Sequence, residues 1–97
     1  MYQVKLSESV KKWLDKLEPQ MQDRVYDRID RLVVGHYGDC RSLGGGLFEL
    51  KFRSGHRIYY IEERGSIILL LSGGNKDSQR RDIISARKLI EKYKGEK

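Results

Sequence analysis

The chain has 97 residues, of which 35% are charged, with ten glycines, one proline and a single cysteine. This length supports one hydrophobic core but not two, so we expect a single domain over residues 1–97. The lone cysteine cannot form an internal disulfide, no Cys/His cluster has zinc-ligand spacing, and no apolar stretch is long enough to cross a bilayer. We therefore expect a cytoplasmic protein without a metal or cofactor.

The net charge of +6 is unevenly distributed along the chain. Residues 1–40 carry seven basic and seven acidic side chains, whereas residues 41–97 carry thirteen Lys or Arg against seven Asp or Glu. The second part of the chain thus holds all the excess positive charge. This asymmetry favours a polyanionic partner, either a phosphate polymer or an acidic protein.

The first part of the chain predicts a short strand followed by a pair of antiparallel helices. The segment YQVKL alternates like a strand, and apolar residues in SESVKKWLDKL then recur at helical spacing to about Leu17, with Ser7 or Ser9 as the N-cap. Pro19 interrupts this pattern, and a second helical pattern runs on to Gly35. The glycines from Gly35 to Gly46 predict a loop.

Beyond this loop, apolar residues recur at every second position instead of at helical spacing. In FELKFR, residues 48–53, apolar and charged residues alternate, so one face of the strand is apolar and the other is charged. The next strand, which starts near Arg57, alternates too. These two strands predict an antiparallel hairpin.

A three-residue turn over residues 54–56 would place Phe52 opposite Ile58 in this hairpin. Arg53 would then lie opposite Arg57, and Lys51 opposite Tyr59. Like charges that face each other across two strands are destabilising. Three cations and a tyrosine on one exposed face therefore indicate function rather than stability.

The last part of the chain predicts a central strand and a basic helix. The segment SIILLLS is apolar throughout, as expected for a strand covered on both faces. It ends in GGNKDSQRRD, where Asp77 or Ser78 can cap a helix that runs to about Tyr93. A helix N-terminus attracts phosphate through its free N–H groups. The polar residues at this entrance and on the basic face are Lys76, Gln79, Arg80, Arg81, Arg87 and Lys88.

The ordered motifs ELK, GHR, LLLSGGNK and SQRRDIISA resemble the RelE/ParE superfamily of bacterial type II toxins, in particular its phage-related addiction-module killer, or HigB-like, branch. The resemblance extends over nearly the whole chain. It implies an α+β fold of the microbial-ribonuclease type, in which an N-terminal helix pair packs on a curved antiparallel β-sheet and a C-terminal helix follows. It also implies mRNA cleavage in the ribosomal A site, and neutralisation by a cognate antitoxin, a helix-turn-helix DNA-binding protein.

The resemblance also assigns residues to the site. Arg57 in GHR matches the arginine beside the scissile phosphate, and Lys51 and Arg53 in ELKFR match the basic pair on the preceding strand. Lys76 in GGNK falls where many relatives carry a cation. The sequence departs from the best-studied members at the C-terminal tyrosine, because Tyr93 comes late in the last helix.

Metal-free RNA cleavage by the ribose 2′-OH needs a proton acceptor, charge stabilisation on the phosphorane and a proton donor to the leaving 5′-oxygen. The guanidinium of Arg57 suits the phosphorane because its fork matches phosphate oxygens. Lys51 or Lys76 can transfer protons, with His56 ranked after them because it falls in the turn. Tyr59 can stack on a base or donate a hydrogen bond. The expected RNA-binding set is therefore His56, Tyr59, Gln79, Arg80 and Arg81.

Two other functions are compatible with these patterns. A ParE-like toxin shares the fold but inhibits DNA gyrase, and a non-catalytic RNA-binding module can use the same basic face. The set of four cations, Lys51, Arg53, Arg57 and Lys76, favours an endoribonuclease over a gyrase inhibitor.

Overall fold

The computed structural model describes residues 1–95. The elements in chain order are β1 (Gln3–Leu6), α1 (Glu8–Asp15), α2 (Pro19–Val33), β2 (Cys40–Gly44), β3 (Leu47–Lys51), β4 (Arg57–Glu63), β5 (Ile67–Gly74) and α3 (Gln79–Gly95). None of the helices in this part of the chain is long and apolar enough to span a membrane.

The five strands form one sheet in the order β1-β5-β4-β3-β2. Strands β2 to β5 are antiparallel neighbours, whereas β1 joins the edge parallel to β5. The parallel pairing is possible because a long connection containing both N-terminal helices and three strands separates β1 from β5. The predicted α+β fold, with a helix pair on a largely antiparallel sheet and a C-terminal helix, is confirmed.

The two N-terminal helices cover one face of the sheet. Ser7 caps α1, since its hydroxyl accepts a hydrogen bond from Val10 N at 3.1 Å. Pro19 occupies the first turn of α2, where its missing N–H breaks no helical hydrogen bond. Their apolar faces and the even-numbered strand positions form one core cluster, which includes Val10, Leu14, Met21, Val25, Leu32, Leu50, Ile58 and Leu70.

Helix α3 covers the opposite face of the sheet. A second core cluster contains Leu47, Tyr59, Ile61, Leu71, Ala86 and Ile90. The predicted exposure of this face is therefore wrong for Arg57 and Tyr59 on β4, because α3 lies over them, whereas Lys51 on β3 is exposed as predicted. Tyr59 is 0% exposed and Arg57 only 6% exposed. Hydrophobic period assigned α3 an apolar face but did not indicate which side of the sheet this face would cover.

The predicted loop over residues 35–46 contains a strand that the sequence pattern did not indicate. Residues Cys40–Gly44 form β2 and pair with β3 in antiparallel fashion. The three glycines Gly44, Gly45 and Gly46 make the tight turn between them, with φ values of +88°, +62° and +84°. Residues with side chains rarely adopt such values, so these glycines close a hairpin instead of extending a loop.

The register of the β3–β4 hairpin also differs from the prediction. Ile58 lies opposite Leu50 rather than Phe52, and Lys51 lies opposite Arg57. The turn lies over residues 53–55, one residue earlier than predicted, because Phe52 N donates to His56 O at 3.0 Å and Gly55 N donates to Phe52 O at 3.0 Å. The register differs by two residues, so each strand side chain stays on its predicted face. It removes the predicted Arg53–Arg57 pair and leaves Arg53 in the turn.

Candidate active site

Glu49 on β3 has a buried carboxylate with two arginines beside it. Glu49 is 1% exposed. Arg41 Nε donates to Glu49 Oε1 at 2.9 Å, and Gln79 Nε2 donates to Oε2 at 2.7 Å. Arg57 Nε lies 3.5 Å from the same Oε2. We refer to Glu49, Arg41, Arg57 and Gln79 as the Glu49 cluster.

Strand register and the start of α3 bring the Glu49 cluster together. Arg41 on β2 is the direct cross-strand partner of Glu49 on β3, and Gln79 is the first residue of α3. Two guanidinium groups around one carboxylate compensate its burial and leave an excess positive charge. The side chain of Arg41 is 63% exposed and that of Arg57 is 8% exposed. The cluster thus presents one accessible arginine and one nearly buried arginine.

Two exposed lysines flank Arg57. Lys51 is its direct partner across the β3–β4 pair. On the other side Arg57 pairs with Gly74, the last residue of β5, and Lys76 follows shortly after in the connection to α3. The predicted position of GGNK beside the start of β4 is therefore confirmed. Lys51 thus lies directly opposite Arg57 on β3, and Lys76 lies two residues beyond the partner of Arg57 on β5.

The connection that carries Lys76 has a fixed local structure. Asn75 Oδ1 accepts hydrogen bonds from Asp77 N at 2.9 Å and Ser78 N at 3.0 Å. Ser78 also bonds the Asp82 carboxylate. Gly74 permits this close approach, because a Cβ atom at that position would lie 2.6 Å from Ser78 Oγ. The start of α3 is therefore tied to the end of β5.

Three of the predicted site residues, His56, Arg53 and Tyr59, lie in the turn, beside α1 or beneath α3 instead of on an exposed face of the sheet. His56 Nδ1 lies 2.7 Å from Ser54 Oγ, and its ring is 6.2 Å from that of Trp13 on α1. His56 therefore faces the α1 side of the sheet. Arg53 is exposed in the turn. Tyr59 is fully buried beneath α3, so in this structure its ring does not offer a stacking surface for a base.

The predicted RNA-binding residues of α3 have separate positions. Gln79 is half-buried and bonded to Glu49, whereas Arg80 and Arg81 are exposed. Tyr93 Oη donates to Glu63 Oε2 at 2.6 Å. Glu63 ends β4, about 20 Å along the strand from Arg57 at roughly 3.3 Å per residue. Tyr93 therefore lies far from the Glu49 cluster.

Arg28 on α2 connects the helix layer to the end of β3. Its Nη1 donates to Lys51 O at 2.9 Å, and its Nη2 donates to Tyr37 O at 3.0 Å and Asp39 O at 3.3 Å. The guanidinium carbon lies 4.8 Å from the centre of the Phe52 ring. Burial lowers the pKa of Arg28 from its ordinary value. Arg28 thus holds the backbone of Lys51 in place.

The sequence pattern missed Arg41, Glu49 and Arg28 as members of this region. Arg41 carries no signal in the sequence because the glycines around it predict a loop, whereas the structure has β2 there. Glu49 could have been noticed, since it is an acidic residue two positions before Lys51, on the strand face predicted to be basic. Within residues 1–95, no group of three or more His, Cys, Asp or Glu side chains is arranged to hold a metal ion.

Comparison with known proteins gives a family for this chain. Residues 12–93 match the model of the phage-derived protein Gp49-like family. The chain belongs to this Gp49-like family. It is 35% identical over 92 residues to an uncharacterized protein from Haemophilus influenzae, in an alignment that covers 92% of this chain and 93% of the relative.

Solved structures show that this Gp49-like protein has the RelE fold. A mutant of the Escherichia coli toxin RelE in the free state matches with a TM-score of 0.75 and 16% identity, over 92% of this chain and 97% of that one. The archaeal RelE–RelB complex from Pyrococcus horikoshii contains a match with a TM-score of 0.68 and 21% identity, over 77% of this chain and 94% of that one. The fold implied by the motifs is therefore confirmed.

Proposed function

We propose that this Gp49-like protein is the toxin of a type II toxin–antitoxin system and a metal-free endoribonuclease that cleaves mRNA on the translating ribosome. The observation that carries the proposal is the Glu49 cluster, in which Arg57 lies beside the Glu49 carboxylate and opposite the exposed Lys51, with its other strand partner, Gly74, leading into the connection that carries Lys76. The RelE fold supports it, since RelE from E. coli is described as a toxin and RelE from P. horikoshii is in complex with RelB.

Arg57 is the proposed contact to the scissile phosphate. Its Nη1 donates to Gly55 O at 3.1 Å and its Nε faces Glu49. Within residues 1–95 its Nη2 donates no hydrogen bond, so this group is left for a phosphate oxygen. Because Nη1 is hydrogen-bonded to Gly55 and the charge of Glu49 lies beside Nε, the guanidinium is oriented before RNA arrives, and a donor placed in advance stabilises the developing charge more effectively.

Arg41 is the proposed second phosphate ligand. Its Nε is held by Glu49, while the side chain as a whole is 63% exposed. A guanidinium has five N–H donors, so the outer edge of Arg41 can bind a phosphate oxygen while its inner edge contacts Glu49. Glu49 therefore acts as the common anchor of both arginines.

Lys51 and Lys76 are the proposed proton-transfer groups. The ribose 2′-oxygen attacks phosphorus, the bond from phosphorus to the 5′-oxygen breaks, and the products are a 2′,3′-cyclic phosphate and a 5′-hydroxyl. One proton leaves the 2′-OH and one joins the 5′-oxygen. Lys51 and Lys76 are exposed on either side of Arg57, whereas His56 faces α1.

The proposed partners are mRNA, the ribosome and a cognate antitoxin that is a helix-turn-helix DNA-binding protein. The excess positive charge of residues 41–97 suits both RNA and an acidic antitoxin segment. Action on translated mRNA places the protein in the cytoplasm.

Mapping of transcript 5′ ends after brief expression tests the proposal. Wild-type protein is expected to produce new 5′ ends within translated codons, and Arg57→Ala at equal protein level is expected to produce none. Arg64→Ala is the matched control, because Arg64 is exposed in the turn at the opposite end of β4. A DNA-damage response without cuts would indicate a gyrase inhibitor, and neither response would indicate an RNA-binding module. Either outcome would overturn the proposal.

A further inference from the structure

Trp13 and His56 form an aromatic pair on the α1 face of the sheet, and the proposed cleavage mechanism uses neither of them. The centres of the two rings are 6.2 Å apart, and the ring planes are inclined at 59°. Both side chains are only partly buried. Ser54 Oγ lies 2.7 Å from His56 Nδ1, and this hydrogen bond orients the imidazole. The pair is therefore accessible from solvent, with its imidazole held in place.

One face of the Trp13 indole lies on the backbone of Gly73. A Cβ atom at Gly73 would overlap Cδ2 and Cε3 of the indole and lie 2.8 Å from Cε2. Cδ2 and Cε2 are shared by the two rings, so an atom can come close to both only over the face of the ring. A glycine inside a strand weakens the strand but permits such a close approach. Strand β5 thus supports one face of the indole.

The indole nitrogen is available to a ligand. Within residues 1–95, Trp13 Nε1 donates no hydrogen bond, and it is not among the buried polar atoms that lack a partner. The nitrogen therefore reaches the surface. Trp13 accordingly combines a supported aromatic ring with an accessible N–H donor.

The aromatic pair lies at the same end of the sheet as Arg57. Trp13 covers Gly73, which is next to the Arg57–Gly74 pair of β4 and β5. His56 directly precedes Arg57 in the chain. The side chain of Arg57 lies on the α3 face of the sheet, whereas the aromatic pair lies on the α1 face. A nucleic-acid strand that crosses this end of the sheet therefore meets Arg57 on one face and the aromatic pair on the other.

Two exposed cations accompany the aromatic pair. Arg53 lies in the turn that ends at His56, and Lys76 comes three residues after Gly73. Surfaces that bind single-stranded nucleic acid combine cations, which contact the phosphates, with aromatic side chains, on which the bases stack. This end of the sheet has both components.

We infer that Trp13 and His56 form a base-binding subsite for a nucleotide of the RNA next to the one that is cleaved. The inference rests on the proposed function, in which the scissile phosphate binds Arg57. The base stacks on the face of the indole that is turned away from Gly73, and the imidazole contacts its edge. Because every base has a π-face, the subsite accepts any base. The RNA thus bends over the end of the sheet.

Tryptophan fluorescence tests the inference on the wild-type protein, because Trp13 is the only tryptophan in the chain. The probe is a short single-stranded RNA whose 2′-O-methyl groups prevent cleavage. A fluorescein-labelled sample of the same RNA reports binding independently, through its anisotropy. A base stacked on the indole is expected to quench the Trp13 emission and to protect the indole from quenching by acrylamide.

An abasic oligonucleotide of the same length is the control ligand, because it keeps the phosphates and lacks the bases. It is expected to bind roughly tenfold more weakly, the value of stacking one base on an aromatic side chain. It is also expected to leave the Trp13 emission unchanged.

His56→Ala and His36→Ala form a matched pair of variants, compared at a temperature where both are folded. His36 is the other histidine and is exposed in the loop before β2. His56→Ala is expected to weaken RNA binding about fivefold, the lower end of the range for one aromatic contact to a base. The Kd of His36→Ala is expected to equal that of wild type.

RNA binding seen by anisotropy without a change in the Trp13 emission would overturn the inference alone. So would equal quenching by the abasic oligonucleotide, or equal RNA affinities of the two histidine variants. Failure of the wild-type protein to bind the RNA at all would overturn the proposed function together with the inference. The anisotropy measurement therefore tells the two failures apart.

Discussion

At the scale of single residues, Glu49 determines how Arg41 and Arg57 are held. Its carboxylate is almost completely buried and contacts both guanidinium groups. Arg57 is nearly buried itself and depends on this charge for compensation. A buried ion pair contributes little compared with an apolar pair of the same shape, but removing one partner leaves the other uncompensated.

Glu49→Gln is therefore expected to lower the free energy of unfolding by about 3 kcal/mol, since the amide keeps the shape of the side chain but not its charge. Urea denaturation measures the change. Glu62→Gln is the control, because Glu62 is exposed and accepts one hydrogen bond from Tyr37 Oη. Its expected cost is below about 1 kcal/mol. Equal losses for the two variants would show that the charge of Glu49 does not stabilise the fold.

At the scale of secondary-structure elements, Arg28 couples α2 to the end of β3. One guanidinium reaches carbonyl groups of Tyr37, Asp39 and Lys51, so it fixes the backbone from which the Lys51 side chain projects. Helix α2 lies on the face of the sheet opposite to α3. The site therefore depends on contacts from both layers of helices.

Arg28→Gln is expected to lower the free energy of unfolding by roughly 2–3 kcal/mol, because a charged donor to several carbonyl groups is lost. The RNA-cleavage rate of the folded protein should also fall, since the end of β3 is less fixed. Arg24→Gln is the control one turn earlier on α2, where the side chain is exposed. A cleavage rate equal to that of wild type in Arg28→Gln would show that Arg28 does not contribute to RNA cleavage.

The elements of this fold were predicted from the sequence better than their arrangement was. Period-two alternation identified β3 and β4 and the face of each side chain, because parity is a local property of a strand. The predicted register was wrong, because it depended on the position of the turn, and the hydrogen bond from Phe52 N to His56 O places the turn over residues 53–55 instead of 54–56. The Glu49 cluster was missed because it needs β2 and the start of α3 together, and neither position follows from local pattern.

At the scale of the whole molecule, the excess positive charge is expected to make RNA binding strongly salt-dependent. Arg80 and Arg81 are exposed at the start of α3, next to the Glu49 cluster through Gln79. Each phosphate contact to single-stranded RNA contributes about 0.7 to the slope of log K against log salt concentration. These two arginines are therefore expected to contribute about 1.4 together.

Replacing Arg80 and Arg81 by Gln should reduce the measured slope by this amount and weaken binding similarly for all RNA sequences. The control replaces Lys11 and Lys12 on α1, which are exposed on the other layer of helices, and should leave the slope unchanged. An unchanged slope for the α3 variant would show that Arg80 and Arg81 do not contact RNA phosphates.

The parallel pairing of β1 with β5 has a consequence for how the protein is made. Gln3 pairs with Ile67, so β1 cannot join the sheet until β5, which comes much later in the chain, has been synthesised. Contacts that join such distant parts of a chain form slowly, because the intervening loop must be closed first. Gln79, which completes the Glu49 cluster, comes later still. A growing chain therefore lacks both this sheet edge and its assembled site until residue 79 has emerged from the ribosome that produces it.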